Sequence, residues 1–201
     1  MRQLLKRLIP SGLRPIRGHQ VYNVYSISLA PEPSGNVLGG YDVRVVEHAS
    51  EYQELLASGY DFSTYPENES IERGLAAGAT IICIFADKEL AHTSWVASSF
   101  AESIYDSIFL TGMFTKPQQG FIGPCNTYPG HRGRGLYPFA IALASSLLKD
   151  KGVQEVSINT RSNNVPSIRG ILKSKFTPSA KVRVIYVLGK KMTFISENKS
   201  D

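Results

Sequence analysis

The chain has 201 residues, of which 42% are hydrophobic and 19% are charged. This composition supplies the core of one ordinary domain and excludes disordered and fibrous proteins. The formal net charge is +5, but five of the 22 Lys and Arg residues precede the first acidic residue, Glu32. The excess charge therefore belongs to the N-terminal tail rather than to a folded face, and nucleic acid is not an expected partner.

Membrane and metal signals are weak in this sequence. Its apolar runs are shorter than the roughly 20 residues that cross a bilayer, and Arg and Lys interrupt the leucines of residues 1–10, so that neither a membrane span nor a secretory signal is expected. Cys83 and Cys125 lie far apart without zinc-type spacing, and the histidines show no helical pairing. The sequence thus predicts a cytoplasmic protein without a metal site.

The segment Pro31–Gly40 is rich in Pro and Gly, which predicts a connector. We therefore place a basic N-terminal extension and connector at residues 1–40. One domain is expected at residues 41–190, followed by a polar C-terminal tail at residues 191–201.

The sequence of the first half of this domain predicts mainly strands. Alternating valines indicate a strand at Asp42–Glu47, and helices are expected at Ser50–Leu56 and Glu69–Ala77. A hairpin with its turn at Asp87-Lys88 follows, then two more strands, the last of which loses a ladder donor at Pro124. These four strands are expected at Thr80–Ala86, Leu90–Ala97, Ile108–Phe114 and Phe121–Thr127.

The second half changes to a strand, helix, strand order. Apolar residues at helical spacing predict a long helix over Phe139–Leu148, with Gly152 as its C-terminal stop. The remaining elements are a strand at Val156–Asn159, a helix at Val165–Ser174 opened by Asn164, and a last strand at Val182–Leu188. The whole order predicts a mixed α+β fold.

A glycine- and arginine-rich loop precedes the long helix. Residues 129–137 read Pro-Gly-His-Arg-Gly-Arg-Gly-Leu-Tyr. Gly130, Gly133 and Gly135 allow a tight turn and a close approach of a ligand, and successive N–H groups at a helix N-terminus bind anionic oxygens. The loop therefore predicts a phosphate or pyrophosphate site.

The neighbouring residues exclude two common phosphate motifs. Leu136 and Tyr137 stand where a nucleotide P-loop needs Lys and then Ser or Thr, which disfavours a kinase or ATPase. Pro138 stands where a dinucleotide fingerprint needs its third glycine, and the preceding strands are antiparallel. A nicotinamide cofactor is therefore disfavoured as well.

Two motifs in order resemble the GCN5-related N-acetyltransferase family. Arg132, Gly135 and Tyr137 occupy the places of its signature, which is Arg or Gln, two residues, Gly, one residue, then Gly or Ala, with Tyr137 replacing the final small residue. Residues 163–169 and 173–176 are similar to the family's Asn-Asn-x-x-Ser-Ile-Arg helix closing in Gly-Phe, with Lys in place of that Gly. The resemblance covers roughly residues 41–188.

The resemblance implies a mostly antiparallel, twisted sheet flanked by helices, with central strands that splay apart near Thr127 and Asn159. It also implies acetyl-CoA as the acyl donor, no metal, a primary amine of a small molecule as the acceptor, direct attack in a ternary complex, and a homodimer as a frequent state. The implied cofactor-binding residues are Cys125, Asn126, Thr127, His131, Arg132, Gly133, Arg134, Gly135, Leu136, Tyr137, Asn164 and Ser167.

One departure from the family concerns the general acid. Many relatives place a tyrosine five residues before the terminal phenylalanine of the second motif, where it protonates the leaving thiolate, and this chain has Ile171 there. The candidates by position are Tyr128, Tyr137 and Tyr186 as acids and His92 and Glu102 as bases. Ile171 also keeps open a second interpretation, a non-catalytic acyl-CoA-binding or regulatory module.

Overall fold

The computed structural model describes residues 16–28, 39–66, 71–99, 118–187 and 190–197. Its elements are, in chain order, β1 (Ile16–Ser28), β2 (Asp42–Val46), α1 (Ala49–Ala57), α2 (Ile71–Ala76), β3 (Thr80–Ala86), β4 (Glu89–Ala97), β5 (Gln119–Thr127), α3 (Leu136–Asp150), β6 (Glu155–Arg161), α4 (Val165–Lys173), β7 (Thr177–Val187) and β8 (Lys190–Glu197). No helix of the described ranges is long and apolar enough to cross a membrane.

All eight of these strands form one sheet, in the order β2-β3-β4-β5-β6-β1-β7-β8. Neighbouring strands are antiparallel except for β5 and β6, which are parallel. The predicted fold class, a mixed α+β protein with a mostly antiparallel sheet, is therefore confirmed.

The two parallel strands separate part-way along their length. Their pairing joins Gln119–Ile122 to Glu155–Ile158 and ends there. Beyond this point β5 continues along β4 as far as Thr127, and β6 continues along β1 as far as Arg161. Pro124 lies just past the point of separation, where the pairing with β4 also shifts register. The sheet thus contains the gap between central strands that the resemblance implies.

Helices cover both faces of the sheet. Ile82 and Ile84 of β3 pack in one core cluster, and their neighbours Ile81 and Cys83 pack in another. The first cluster contains the buried residues of α3 and α4, whereas the second contains those of α1 and α2. Because successive side chains of a strand point to opposite faces, α3 and α4 lie together on one face and α1 and α2 on the other.

Two strands lie outside the range 41–190 that the sequence assigned to the domain. β1 is a central strand, antiparallel to β6 on one side and to β7 on the other. β8 extends past residue 190 as a hairpin partner of β7. The expected boundaries are therefore too narrow, because the polar composition of both segments concealed strands that depend on their neighbours for pairing.

The other predicted elements within the described ranges are present in the structure, and the largest difference is at β7, which begins at Thr177 rather than at Val182. The turn at Asp87-Lys88 joins β3 to β4 as expected, and both residues have positive φ angles, of 47° and 69°. The predicted strand at Ile108–Phe114 and the candidate base Glu102 lie outside the described residues.

Candidate functional site

The N-terminus of α3 carries no capping side chain. Its N-cap is Gly135, with φ of 80°, and Gly133 has φ of 76°, conformations that favour glycine. Among the described residues, the N–H groups of residues 133–137 donate to no backbone or side-chain acceptor. A helix start normally satisfies these donors with a cap, with water or with a ligand. This end of α3 is therefore available to an anion.

A cleft of about 520 Å³ opens at this helix end. It lies between the end of β5, the glycine loop and the first turns of α3 and α4. Eleven of the twelve residues expected to bind the cofactor line it. They are Cys125, Asn126, Thr127, His131, Arg132, Gly133, Gly135, Leu136, Tyr137, Asn164 and Ser167.

Arg134 is the exception among the expected residues. It does not line the cleft, and its Nη1 donates instead to the hydroxyl of Tyr41, 3.1 Å away. Its neighbour Arg132 does line the cleft, and its Nε donates to the carbonyl oxygen of Thr127 at 3.0 Å. This contact ties the glycine loop to the end of β5.

Sequence reasoning missed five lining residues, four of which lie on α4 or its first turn. They are Pro138, Pro166, Arg169, Gly170 and Lys173. Steps of three and four residues from Pro166 to Lys173 place these positions on one helical face, and this spacing was the signal available in the sequence. Arg132, Arg169 and Lys173 bring positive charge, and no carboxylate is among the residues that line the cleft.

A hydrogen bond joins the two helices across the cleft. The hydroxyl of Tyr137 on α3 lies 3.1 Å from the Oγ of Ser167 on α4. Burial raises the pKa of the Tyr137 phenol above its ordinary value, so the hydroxyl keeps its proton. Asn164 caps α4 as predicted, because its Oδ1 accepts from the N–H of Ser167 at 3.4 Å. The start of α4 thus has a side-chain cap, whereas that of α3 has none.

The end of β5 presents a free backbone edge to the cleft. Cys125, Asn126 and Thr127 pair with β4 on one side, whereas pairing with β6 stops at Ile122. Main-chain donors and acceptors on the β6 side of this segment therefore face the gap, where an extended ligand with amide groups can pair with them.

His92 does not reach the cleft. Its ring is completely buried, with Nδ1 2.7 Å from Thr127 Oγ1 and Nε2 2.7 Å from Ser94 Oγ. Burial lowers the pKa of His92 to about 3, so that the imidazole is neutral at physiological pH. The suggestion that His92 acts directly as the base therefore needs correction, because the ring contacts protein side chains on both nitrogens.

The other acid candidates occupy different surroundings. Tyr128 packs with Trp95 in the core cluster that contains α1 and α2, on the face opposite α3. Tyr186 packs beside Val182 and Val184 of β7. Neither residue lines the cleft. Of the three tyrosines only Tyr137 does so.

Position 171 holds no polar group that would supply the proton. Ile171 is fully buried in the cluster beneath α3 and α4. The described residues also contain no group of three or more His, Cys, Asp or Glu side chains placed to hold a metal ion.

The sequence matches no protein-family model and no curated protein. Solved structures do match, and several are GCN5-related N-acetyltransferases. The enzyme from Sphaerobacter thermophilus superimposes with a TM-score of 0.53 at 14% identity, covering 98% of this chain and 56% of that chain. The chain has the fold of the GCN5-related N-acetyltransferases.

Two further structures with this fold show the same degree of similarity. A putative acetyltransferase from Novosphingobium aromaticivorans gives a TM-score of 0.55 at 16% identity, covering 94% of this chain and 70% of that chain. The glucosamine N-acetyltransferase region of a fungal multidomain β-N-acetylglucosaminidase gives 0.56 at 13% identity, covering 92% of this chain and 22% of that chain. The chain thus spans little more than half of the first match and a smaller part of the fungal enzyme.

Proposed function

We propose that the protein is an N-acetyltransferase that transfers the acetyl group of acetyl-CoA to a primary amine of a small molecule in a ternary complex. The observation that carries this proposal is the uncapped start of α3, which opens into a positively charged cleft beside the free edge of β5. Diphosphate oxygens suit free N–H groups, and the amides of a pantetheine arm suit an unpaired strand edge.

We propose that different parts of the cleft hold different parts of acetyl-CoA. The N–H groups of residues 133–137, with Arg132, are proposed to hold the pyrophosphate. The backbone of Cys125–Thr127 is proposed to pair with the pantetheine amides, with Asn164 and Ser167 lining the arm. Arg169 and Lys173 add charge for the remaining phosphate of the coenzyme.

The proposed reaction requires mainly that the amine and the thioester are positioned next to each other. Bound acetyl-CoA supplies a thioester, which a neutral amine attacks. In this proposal the protein holds both reactants together, which lowers the entropic cost of the reaction, and a main-chain N–H of the β5 edge stabilises the developing oxyanion. The fungal neighbour is described as a glucosamine N-acetyltransferase, which supports a small amine as the acceptor class. Cys83 and Cys125 are free thiols, which supports the proposal of a reducing, cytoplasmic compartment.

Thermal unfolding with and without acetyl-CoA tests the proposed binding mode. Acetyl-CoA should raise the melting temperature of the wild type, and S-acetylpantetheine, which lacks the diphosphate, should raise it far less. Gly135→Val should lose the shift, because no atom lies within 4 Å of the added Cβ and the side chain would enter the diphosphate space.

A matched variant separates this steric effect from backbone strain. Gly152 at the other end of α3 has φ of 81° and equally open surroundings, so Gly152→Val imposes similar strain away from the cleft. It should keep the acetyl-CoA shift. Loss of the shift in both variants, or in neither, would contradict the proposed diphosphate site.

The second candidate function is a non-catalytic acyl-CoA-binding module. The observation that favours it is Ile171, which puts an apolar, buried side chain at the position of the usual acid. Release of free thiol from acetyl-CoA in the presence of a panel of primary amines separates the two candidates. An enzyme turns over with at least one amine, whereas a binding module shows the thermal shift without turnover.

A further inference from the structure

Three polar side chains beneath the cleft are joined by hydrogen bonds, and the thiol of Cys125 lies beside the last of them. Thr127 Oγ1 contacts Nδ1 of His92, and Nε2 of the same ring contacts Ser94 Oγ, both at 2.7 Å. Ser94 is the cross-strand neighbour of Cys125, and its hydroxyl acts on that thiol by lowering the pKa that burial raises. A single neutral imidazole therefore connects the hydroxyls of Thr127 and Ser94, and Ser94 lies across from a thiol on the same strand as Thr127.

Strand register explains this arrangement. On β4 and β5, His92 is paired with Thr127 and Ser94 with Cys125, so all four side chains point to the α3 face. His92 and Ser94 are completely buried, whereas Thr127 and Cys125 are partly exposed and line the cleft. Of these four side chains, only Thr127 and Cys125 therefore reach the space proposed for the reactants.

The neutral imidazole allows the hydrogen bonds of the four side chains to run in either of two directions. One ring nitrogen donates and the other accepts, so the tautomer fixes the orientation of every hydrogen bond. With the proton on Nε2, Thr127 donates to the ring, Ser94 donates to Cys125, and the S–H is free to donate into the cleft. With the proton on Nδ1, all of these bonds reverse and the Thr127 hydroxyl donates into the cleft.

We propose that Thr127, His92, Ser94 and Cys125 form a proton relay that removes the proton of the attacking amine at Thr127 and returns one to the leaving thiolate at Cys125. This inference rests on the proposed acetyl transfer. As the new C–N bond forms, Thr127 Oγ1 accepts the amine proton and passes its own to Nδ1. The Nε2 proton moves to Ser94, that of Ser94 moves to Cys125, and the S–H proton moves to the sulfur released by cleavage of the C–S bond.

The relay is balanced in charge and returns to its starting state. One proton enters and one leaves, so none of the four side chains remains ionised. After the products depart, water in the cleft donates to Cys125 and accepts from Thr127, which reverses each hydrogen bond and restores the Nε2 tautomer. No oxidant, metal or further reactant is required.

Energetic considerations favour a concerted transfer. Burial lowers the pKa of His92 to about 3 and raises that of Cys125 to about 12, so an imidazolium or a thiolate is costly as a separate intermediate. A free thiol, such as the leaving group, has a pKa of about 8.5 and is thus a stronger acid than Cys125. Cys125 can therefore protonate the leaving sulfur only if Ser94 replaces its proton in the same step. The spacing of Thr127 and Cys125 also suits the relay. Residues two apart on a strand are separated by about 6.7 Å, so one side chain can face the nitrogen and the other the sulfur of one tetrahedral centre.

The first test uses the protein without ligand. Nitrogen-15 NMR of the His92 ring reports which nitrogen carries the proton. Cys125→Ala changes a side chain that neighbours Ser94 and does not contact the ring, yet a connected relay should shift the tautomer ratio of His92. Cys125→Ser should preserve it, and Thr93→Val, which alters a buried hydroxyl on the opposite face of β4, should leave it unchanged. An unaltered ratio in Cys125→Ala overturns the relay.

The second test measures turnover with acetyl-CoA and the most active amine of the panel. Ser94→Ala should lower kcat about 100-fold while the KM for acetyl-CoA stays the same, which is the scale of general acid–base catalysis. The rate of the wild type should depend non-linearly on the D₂O fraction, because several protons move together, and that of Ser94→Ala should be linear.

The outcomes separate the relay from the proposed function. Turnover by the wild type with an unchanged kcat in Ser94→Ala overturns the relay and leaves the acetyltransferase assignment intact. Absence of turnover by the wild type with every amine overturns both. A retained acetyl-CoA thermal shift in Ser94→Ala, together with wild-type kcat in Thr93→Val, shows that a fall in kcat does not reflect misfolding.

Discussion

The ring of Tyr137 lies directly over Gly170. A Cβ at residue 170 would come within 2.6 Å of Cδ1 and 2.9 Å of Cε1 of this ring. The glycine of α4 thus provides the room that the aromatic ring of Tyr137 on α3 occupies. This contact, together with the bond from Tyr137 to Ser167, fixes the separation of the two helices that border the cleft.

We predict that Gly170→Ala destabilises the protein and weakens acetyl-CoA binding. The added methyl group overpacks the ring and should cost about 1–3 kcal/mol, partly offset by the better helix propensity of alanine, worth up to about 1 kcal/mol. Urea unfolding and acetyl-CoA titration measure the two effects. Gly39→Ala is the control, because no atom lies within 4 Å of its added Cβ and the residue does not line the cleft.

A double variant tests whether the contact itself is responsible. Tyr137→Ala removes the ring, so adding Gly170→Ala to it should cost little or nothing. A coupling energy near zero in this double-mutant cycle would show that the overpacking lies elsewhere.

The buried imidazole predicts sensitivity to acid. The pKa of His92 is about 3 in the folded protein, against about 6.5 when unfolded, so between these values the unfolded state binds a proton that the folded state does not. The free energy of unfolding should therefore fall by up to about 1.4 kcal/mol per pH unit below about pH 6.5, with no contribution above it. Urea unfolding between pH 4 and about pH 8 should show a shallower slope for His92→Gln than for the wild type. Equal slopes would mean that the ring is protonated in the folded protein.

The sequence predicts much of the fold because local signals are strong there. The continuous apolar run of β3, the helical spacing of α3 and the glycine loop each specify their element without knowledge of the neighbours. β1 lacks such a signal, because only Val24 and Tyr25 are fully buried among its described side chains. Its strand character arises from pairing on both sides, which no local pattern reveals.

The cleft likewise contains some residues that local sequence signals predict and others that depend on tertiary packing. Residues of the glycine loop follow from their own motif, whereas Arg169 and Lys173 join the site only once α4 is packed against α3. The orientation of His92 could not be inferred, because both faces of β4 are buried and its sequence lacks the alternation that distinguishes them. Which face a residue occupies then depends on register, which pairing determines.

Cys125 should react slowly with alkylating agents despite lining the cleft. Burial raises the pKa of its thiol to about 12, so at pH 8 the thiolate fraction is roughly a thousandfold below that of a free cysteine. Mass spectrometry after iodoacetamide treatment of Cys83→Ala isolates this thiol. The urea-unfolded variant should label rapidly and the folded one should not. Equally rapid labelling when folded would identify an activated nucleophile instead.

The cations of α4 should contribute to acetyl-CoA affinity through charge. Lys173→Gln should weaken binding about fivefold at low salt, which corresponds to about 1 kcal/mol for a solvent-accessible ion pair, and the loss should shrink as salt increases. Lys149→Gln removes the same charge from the last turn of α3, outside the cleft, and should leave the affinity unchanged. Equal losses in the two variants would indicate a general effect of net charge rather than a contact.

β1 should be required for folding even though it precedes the glycine-rich connector. Deleting residues 1–15 leaves every described strand in place and should preserve the acetyl-CoA thermal shift, whereas deleting residues 1–28 exposes the edges of β6 and β7 and should prevent folding. A single substitution gives a finer test. Val24 is 3% exposed, so Val24→Asp buries an unpaired carboxylate and should cost about 3–5 kcal/mol, whereas Gln20→Asp, at an exposed position of the same strand, should cost much less. Equal unfolding curves for the two variants would mean that β1 is not part of the sheet in solution.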